Sequence, residues 1–477
     1  MSLPNRVFLI GIGGTAMGNL AVCLKRAGVQ VGGSDGALYP PISTLLDENG
    51  IGAVAPADVE AMEKWSGSLY IVGNAVSRGH PQVEWLMSRP FEDRVSFPQF
   101  MGEYLLRNSK NLVVAGTHGK STTTALAAHL LSKTEEAAGW FIGGVMADHS
   151  PAFSWNPEIR YFAIEGDEYD SAFFDKRSKF VHYRPNVLIV NNLEFDHADI
   201  FRDAKDVQRS FRQAISIVPS DGVILYNGDD LLISEILPVP WTQCVSFGFG
   251  DHNDFIVSRK LINGRSEVDI SRGDDGSPVL KLKTHLMGGF NARNLAAAAL
   301  GTRFLLDQDA NQKFELDGFT GLKRRQEVRF QDEQRILIED FAHHPTAIKE
   351  ALSALRERFP EWSIHAMVEP RSNTMRTNCL QDELIEALAL ADYVTIAPVH
   401  RQDLTPVRER LNTKRVSDAL GERSVGCSIC VTVDDLHGAF RQRKNEEKEL
   451  TVVFSNGAFC GLIDPFEAEL RSPKKPA

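Results

Sequence analysis

Short apolar runs alternate with amphipathic stretches along most of the chain. "RVFLIG", "VQVGGSD" and "SLYIVGNA" read as strands, and "TAMGNLAVCLKRAG" and "PPISTLLDENG" between them read as helices. Such alternation predicts βαβ units and a parallel sheet. The pattern restarts at "NLVVAGTHGKSTTTALAAHLL" and runs through "YFAIEGDEYD", "NVLIVNNLEFDH" and "DGVILYNGDD" to "GFNARNLAAAALGTRFLL". That last stretch is apolar on most faces, so a buried helix is predicted. A third restart carries "RILIEDF", "TAIKEALSALRERF", "SIHAMVE", "DYVTIAP", "SICVTV" and "ELTVVFSNGAF". Three α/β domains are expected, over about 1–108, 109–325 and 326–477.

Composition narrows the picture. The 477 residues are 43% hydrophobic and 24% charged, with a net charge of −11. No basic tract longer than the terminal "SPKKPA" appears, which argues against a nucleic-acid partner. No apolar stretch reaches the roughly 18 residues of a membrane span, and no signal-peptide pattern opens the chain. The six cysteines are scattered. Cys427 and Cys430 form a C-x-x-C inside an apolar run, and they read as buried strand packing because a zinc site needs a second ligand pair. Reduced thiols and a cytoplasmic location are expected.

The chemistry gathers at a few turns. In "GTHGKST", Gly116, Thr117, His118, Gly119, Lys120, Ser121 and Thr122 lie between a strand and a helix. Backbone amides there can surround phosphate oxygens, with Lys120 reaching the β/γ-phosphates and Ser121 reaching Mg²⁺. Val114 stands where the full phosphate-loop pattern has its first glycine. Glu165, Asp167, Glu168 and Asp170 follow one strand, and Glu194, Asp196 and His197 follow another. Acidic groups at the carboxyl ends of parallel strands sit where ligands bind, so Glu165 and His197 are the expected Mg²⁺ ligands. Asn291 and Asn294 share a helix face and suit an adenine edge, although Asn291 could equally cap that helix. Arg325, in "GLKRRQEV", suits a γ-phosphate, and Asp340 suits ribose hydroxyls. The pair His343–His344 reads as structural. Near the amino terminus, Gly11, Gly13 and Gly14 form a second glycine turn, with Asp35 after the next strand. That turn is compatible with NAD or with another pyrophosphate.

Taken in order, "GTHGKSTT", "EGDEYD", "DH", "NARN", "RRQEV", "DFAHHP" and "EPRSNTMR" resemble the Mur ligase family over nearly the whole chain. The resemblance implies a Rossmann-like UDP-binding domain, a P-loop ATPase domain and a doubly wound carboxyl-terminal domain. It implies ATP and Mg²⁺ as cofactors and UDP-N-acetylmuramate and a cell-wall peptide as partners. The first glycine turn is then assigned to a UDP-sugar, with Gly11, Gly13, Gly14, Thr15, Ser34, Asp35 and Asn74 as its contacts. Lys120, His197 and Arg325 become catalytic. Arg371 and Arg376 are expected to hold the peptide. Some members bridge two Mg²⁺ ions through a carbamylated lysine, but here Phe211 stands near that point. "GSDGALYPPISTLL", "IVGNAVSRGHPQVE" and "FSNGAFCGL" resemble the branch that recycles cell-wall peptide, which joins L-alanyl-γ-D-glutamyl-meso-diaminopimelate to UDP-N-acetylmuramate. A ligase for free L-alanine, a NAD-dependent oxidoreductase and a silent nucleotide or UDP-sugar binder are the competing readings.

Overall fold

A computed structural model of the chain describes residues 2–39, 42–89, 92–196, 200–307, 314–443 and 448–472. Three sheets carry the fold. The first holds the strands Arg6–Ile10, Gln30–Ser34, Ala53–Val54, Leu69–Val72 and Arg94–Ser96, all parallel, in spatial order third–second–first–fourth–fifth. The order reverses between Arg6–Ile10 and Leu69–Val72, so a crevice opens above their carboxyl ends.

The middle sheet has ten strands. Its centre is Lys110–Ala115, flanked by Tyr161–Glu165 on one side and Val187–Val190 on the other, all parallel. Side chains along Lys110–Ala115 alternate between two cores. Val113 and Ala115 join one, and Leu112 and Val114 join the other, as the two-residue period of a strand requires. The helix Gly289–Leu305 is buried along most of its length, as its composition predicts. One edge of this sheet is absent from the sequence reading. Phe255–Ile262, Arg265–Arg272 and Pro278–Thr284 form an antiparallel meander. Its first turn is Asn263–Gly264, with φ of 49° and 76°. Asn-Gly tolerates the two left-handed residues that a tight hairpin needs.

The third sheet runs from Glu327–Gln331 to Glu449–Phe454, and five of its six strands are parallel. "SICVTV" is only partly strand. The strand ends at Ile429, and Val431 is exposed beyond it. Cys430 is buried and Cys427 half-buried, both as free thiols.

The two seams between the units differ. Leu9, Ile71 and Phe97 of the first unit share one continuous apolar core with Phe153, Phe162 and Phe211 of the middle unit. The third unit has separate cores, one around Ile338, Leu352 and Val368 and another around Phe440 and Phe466. Met287 of the middle unit packs against the first of these, and polar contacts make up the rest of the seam. Arg259 pairs with Glu357, Arg293 pairs with Glu350, and the Thr374 hydroxyl donates to Asp196 Oδ1 at 2.8 Å.

Candidate active site

The phosphate loop leaves the carboxyl end of Lys110–Ala115 and enters the helix Lys120–Ser132. Gly119 turns the chain with φ of +78°. A Cβ there would lie 2.5 Å from Asn294 Oδ1, so the loop backbone packs directly on the Asn294 side chain of the buried helix. Asn294 Oδ1 accepts from Asn191 Nδ2 at 2.7 Å, and Asn294 Nδ2 donates to Asn291 Oδ1 at 3.2 Å. The helix is capped at Gly288, and Asn291 sits inside its first turn, where its amide donates to the Met287 carbonyl at 2.8 Å. Asn291 is therefore not the cap.

A cavity of about 330 Å³ brings together Thr117, His118, Gly119, Lys120, Ser121, Thr122, Glu165, Asn291, Asn294, Arg325 and Asp340. These come from the loop, two strand ends, the buried helix and the junction to the third unit. Gly116 stands at the base of the loop against Asn191 and outside the cavity wall. His197 lies outside the described residues.

Lys120 is folded back onto its own loop. Its Nζ donates to the Gly116 carbonyl at 2.6 Å and to Glu168 at 2.8 Å. Glu168 is a partner that sequence reasoning did not assign. Burial works to lower the Lys120 pKa, but Glu168, Asp167 and Glu165 outweigh it and hold it raised. The ammonium therefore stays charged. Burial pulls the Arg325 pKa down against Asp340 and Glu165. No ion pair anchors this guanidinium among the described residues, and it lies over the Phe341 ring at 4.7 Å. Asp340 is buried, and its two oxygens accept the Ala342 and Gln326 amides at 2.7 and 2.9 Å. Burial raises its pKa despite Arg325 nearby.

A second cavity, of about 270 Å³, opens between the first and middle units. Thr15 and Asn74 line it, together with Phe97, Lys179 and Tyr183. Glu165 and Asp167 line both cavities and form the wall between them. Gly11 turns with φ of +87°. The Gly13 amide donates to Asp35 Oδ2 and the Gly36 amide to Asp35 Oδ1, both at 2.7 Å. Asp35 thus orders the turn from behind. Ser34 is buried and its hydroxyl is bonded to Gln82. Lys179, which sequence reasoning missed, pairs with Asp167. Burial alone would raise the Asp167 pKa, yet Lys179 and Lys120 bring it down to about 2. Phe211 is fully buried in the core.

Arg371 and Arg376 lie apart from both cavities, on the turn after Ser363–Val368. Arg371 Nη1 is 3.5 Å from Glu369, and Arg376 Nη1 donates to the Arg401 carbonyl at 3.4 Å. Thr374, between them, links this turn to Asp196 in the wall of the larger cavity. No helix among the described residues is long and apolar enough to cross a membrane.

The residues present suit both a polyphosphate and Mg²⁺. The loop offers the N-terminus of the helix Lys120–Ser132 facing the cavity, with Gly119 in the left-handed region at its start, as suits a polyphosphate. Ser121 and Glu165 offer hard oxygen donors on one cavity wall, which suits Mg²⁺.

Three family models match the chain. They are described as the Mur ligase family catalytic domain over residues 6–107, the Mur ligase middle domain over 114–301, and the Mur ligase glutamate ligase domain over 324–459. The chain is 39% identical over 400 residues to the UDP-N-acetylmuramate–L-alanyl-γ-D-glutamyl-meso-2,6-diaminoheptandioate ligase of Escherichia coli, covering 83% of this chain and 85% of that one. It is 37% identical to the ligase of the same name from Haemophilus influenzae, covering 96% and 97%. A UDP-N-acetylmuramate–L-alanine ligase from Pediococcus pentosaceus is 30% identical, covering 92% and 95%. The crystal structure of a murein peptide ligase from Psychrobacter arcticus superimposes with a TM-score of 0.67 at 29% identity, covering 99% and 100%. A UDP-N-acetylmuramate–alanine ligase from Thermotoga maritima gives 0.72 at 22% identity, covering 98% of each chain, a likeness of fold alone. With all three units matched in order, and a phosphate-loop cavity and a second cavity meeting at Glu165, the chain belongs to the Mur ligase family.

Proposed function

We propose that this chain joins UDP-N-acetylmuramate to L-alanyl-γ-D-glutamyl-meso-diaminopimelate at the expense of ATP. The observation that carries the mechanism is the shared wall: Glu165 and Asp167 border both cavities. A sugar carboxylate in the smaller cavity meets the phosphate end of the larger one there. The amine donor is argued from sequence, because identity to the two diaminopimelate-peptide ligases is higher than to the alanine ligase.

In this reading residues 1–108 hold the UDP-sugar, 109–325 hold ATP and 326–477 hold the peptide. Gly11, Gly13, Gly14, Thr15, Ser34, Asp35 and Asn74 form or support the sugar site. Gly116 to Thr122, Asn291, Asn294, Arg325 and Asp340 form the ATP site. Ser121, Glu165 and His197 would hold Mg²⁺, which neutralises phosphate charge when bound.

A carboxylate is a poor acyl donor because its leaving group would be oxide. A lactyl oxygen attacks the γ-phosphorus, the bond to ADP breaks, and an acyl phosphate forms. The peptide amine then adds to the acyl carbon, loses a proton and expels phosphate. Lys120 must leave Glu168 to reach the transferring group, and with Arg325 it stabilises the charge that develops there. Closure of the site should exclude water, which would otherwise hydrolyse the acyl phosphate.

Arg371 and Arg376 would grip the peptide carboxylates. Free L-alanine has one carboxylate and gains little from two arginines. The kcat/KM for the tripeptide should therefore exceed that for L-alanine by at least about a hundredfold, the scale of two charge-assisted contacts. An amine-donor panel with mass detection of the UDP-linked product measures this. L-alanine as an equal or better donor would replace this reading with the alanine ligase. Arg376→Ala should weaken peptide use and leave the KM for ATP unchanged.

A further inference from the structure

Three side chains converge at the phosphate loop in an arrangement to which the proposed transfer step gives no role. His118 stands on the loop, Glu194 follows the strand Val187–Val190, and His344 opens the helix Pro345–Arg358 of the third unit. Glu194 Oε2 lies 3.3 Å from His118 Nε2 and 3.2 Å from His344 Nδ1. The two imidazole centroids are 4.8 Å apart.

The hydrogen positions around His344 do not balance without a further positive charge. Its Nε2 lies 3.3 Å from the Phe195 carbonyl, which only accepts, so that nitrogen carries the proton. In a neutral ring Nδ1 then presents a lone pair. The Thr346 amide lies 3.4 Å from it, a long contact that a bound cation would replace. Burial pushes the His344 pKa down and favours the neutral ring. Glu194 is ionised. Burial would raise its pKa, but the hydrogen bonds it accepts from His118 and Thr346 bring it down. Nδ1 and a carboxylate oxygen therefore face each other at 3.2 Å, lone pair to lone pair.

A cation between them removes the conflict. A tetrahedral ion with bonds of about 2.0–2.2 Å holds its ligand atoms about 3.3–3.5 Å apart. Two of the edges are already 3.2 and 3.3 Å, and all three ligand atoms lie within 4.8 Å of one another. The third edge, between the two imidazoles, would have to shorten on binding, which a rotation of His118 would allow. Two nitrogens and one carboxylate suit a borderline ion rather than Mg²⁺. We propose that His118, Glu194 and His344 form a site for a divalent cation of the Zn²⁺ class, with a fourth position open, which fastens the third unit to the phosphate loop. Its three ligands are none of the proposed Mg²⁺ ligands Ser121, Glu165 and His197, and it does not depend on the identity of the amine donor.

The test uses the full chain, stripped with a chelator and dialysed against Zn²⁺ or Co²⁺ with Mg²⁺ present. One equivalent should bind, and Co²⁺ should show the strong visible absorption of tetrahedral coordination. Loss of a neighbour behind a ligand costs ten- to a hundredfold in affinity, so loss of a ligand should cost at least about a hundredfold. Glu194→Gln and His344→Asn should both show it. Asparagine keeps a capping side chain at the helix start, so the second variant preserves local folding. Glu165→Gln should bind Zn²⁺ as the parent does. The proposal is overturned if the parent binds no Zn²⁺ or Co²⁺, or if Glu194→Gln and His344→Asn bind as the parent does. It is equally overturned if Zn²⁺ is lost in Glu165→Gln, or if nitrogen NMR of the metal-free protein at neutral pH finds His344 doubly protonated.

Discussion

The molecule contains two glycine turns between a strand and a helix, and they are built oppositely. At Gly11–Gly14 the neighbouring strand supplies a carboxylate, and Asp35 accepts the Gly13 amide from behind. At Gly116–Gly119 the turn runs into a lysine, and Lys120 lies over the loop against Glu168. The backbones share one principle, amides gathered at a helix N-terminus. The side chains brought to each turn set its role. On the function proposed above, the first turn would hold a diphosphate still, and the second would set Lys120 against a phosphoryl group in transfer. On that reading the glycine spacing alone does not separate binding from transfer, and the residues around it do.

Four measurements break or sharpen that contrast. The largest effect belongs to Lys120. Lys120→Ala should lower kcat at least about a hundredfold, the loss of one charge partner in the transition state. UDP-N-acetylmuramate affinity by titration calorimetry should stay unchanged. Near-native turnover would make the two turns equivalent. The variant also strips a lysine from Glu168, which is 3% exposed, so its melting temperature should fall. Adding Glu168→Gln should recover stability and not turnover.

Next comes the shared wall. Glu165→Gln should raise the Mg²⁺ concentration for half-maximal rate by at least about tenfold, and His197→Ala should act in the same direction. An unchanged Mg²⁺ titration would move the metal elsewhere, most simply to Asp167. A smaller change is expected at the first turn. Asp35→Ala frees the Gly13 amide and should weaken UDP-sugar binding about fivefold, near 1 kcal/mol, with the KM for ATP unaltered. Tighter binding instead would mean that the carboxylate opposes the diphosphate more than it orders the turn.

The smallest effect is one of pH. Burial holds the His343 pKa at about 4, against the pull of Asp196. The unfolded chain binds that proton near the ordinary histidine value of 6.5. Stability should then fall as pH drops from about 6.5 to about 4 and level off below. Asp167 and Glu194, both near 2, behave the other way. Their contribution is complete above the unfolded carboxylate range and is lost as pH falls through about 2. Urea midpoints across this range should show the first decline flattened in His343→Asn and the second unchanged.

Local order was legible in the sequence, and long-range pairing was not. A strand, a glycine turn and a helix are written within about twenty residues, so both turns and the buried helix could be read directly. The meander from Phe255 to Thr284 carried a clear signal, Asn-Gly between alternating residues, which went unread. Other features had no local signal. Glu168 meets Lys120 across 48 positions, and His118 meets Glu194 across 76. Lys179 reaches Asp167 only because a short hairpin, Asp170–Ala172 with Asp175–Ser178, turns the chain back. Asn291 looked like a cap because a cap and a first-turn residue differ by one or two positions.

The unequal seams have a further consequence. Apolar contact is nearly indifferent to dissolved salt, whereas partly exposed ion pairs are screened over about 8 Å at physiological ionic strength. The first and middle units meet through shared core, while the third, beside the apolar contact of Met287, is held by Arg259–Glu357, Arg293–Glu350 and the Thr374–Asp196 bond. Electrolyte should therefore act on one joint and spare the other. Small-angle scattering over a series of potassium chloride concentrations would show the carboxyl-terminal lobe swinging outward while the rest keeps its dimensions, a door whose latch is electrical and whose hinge post is oil.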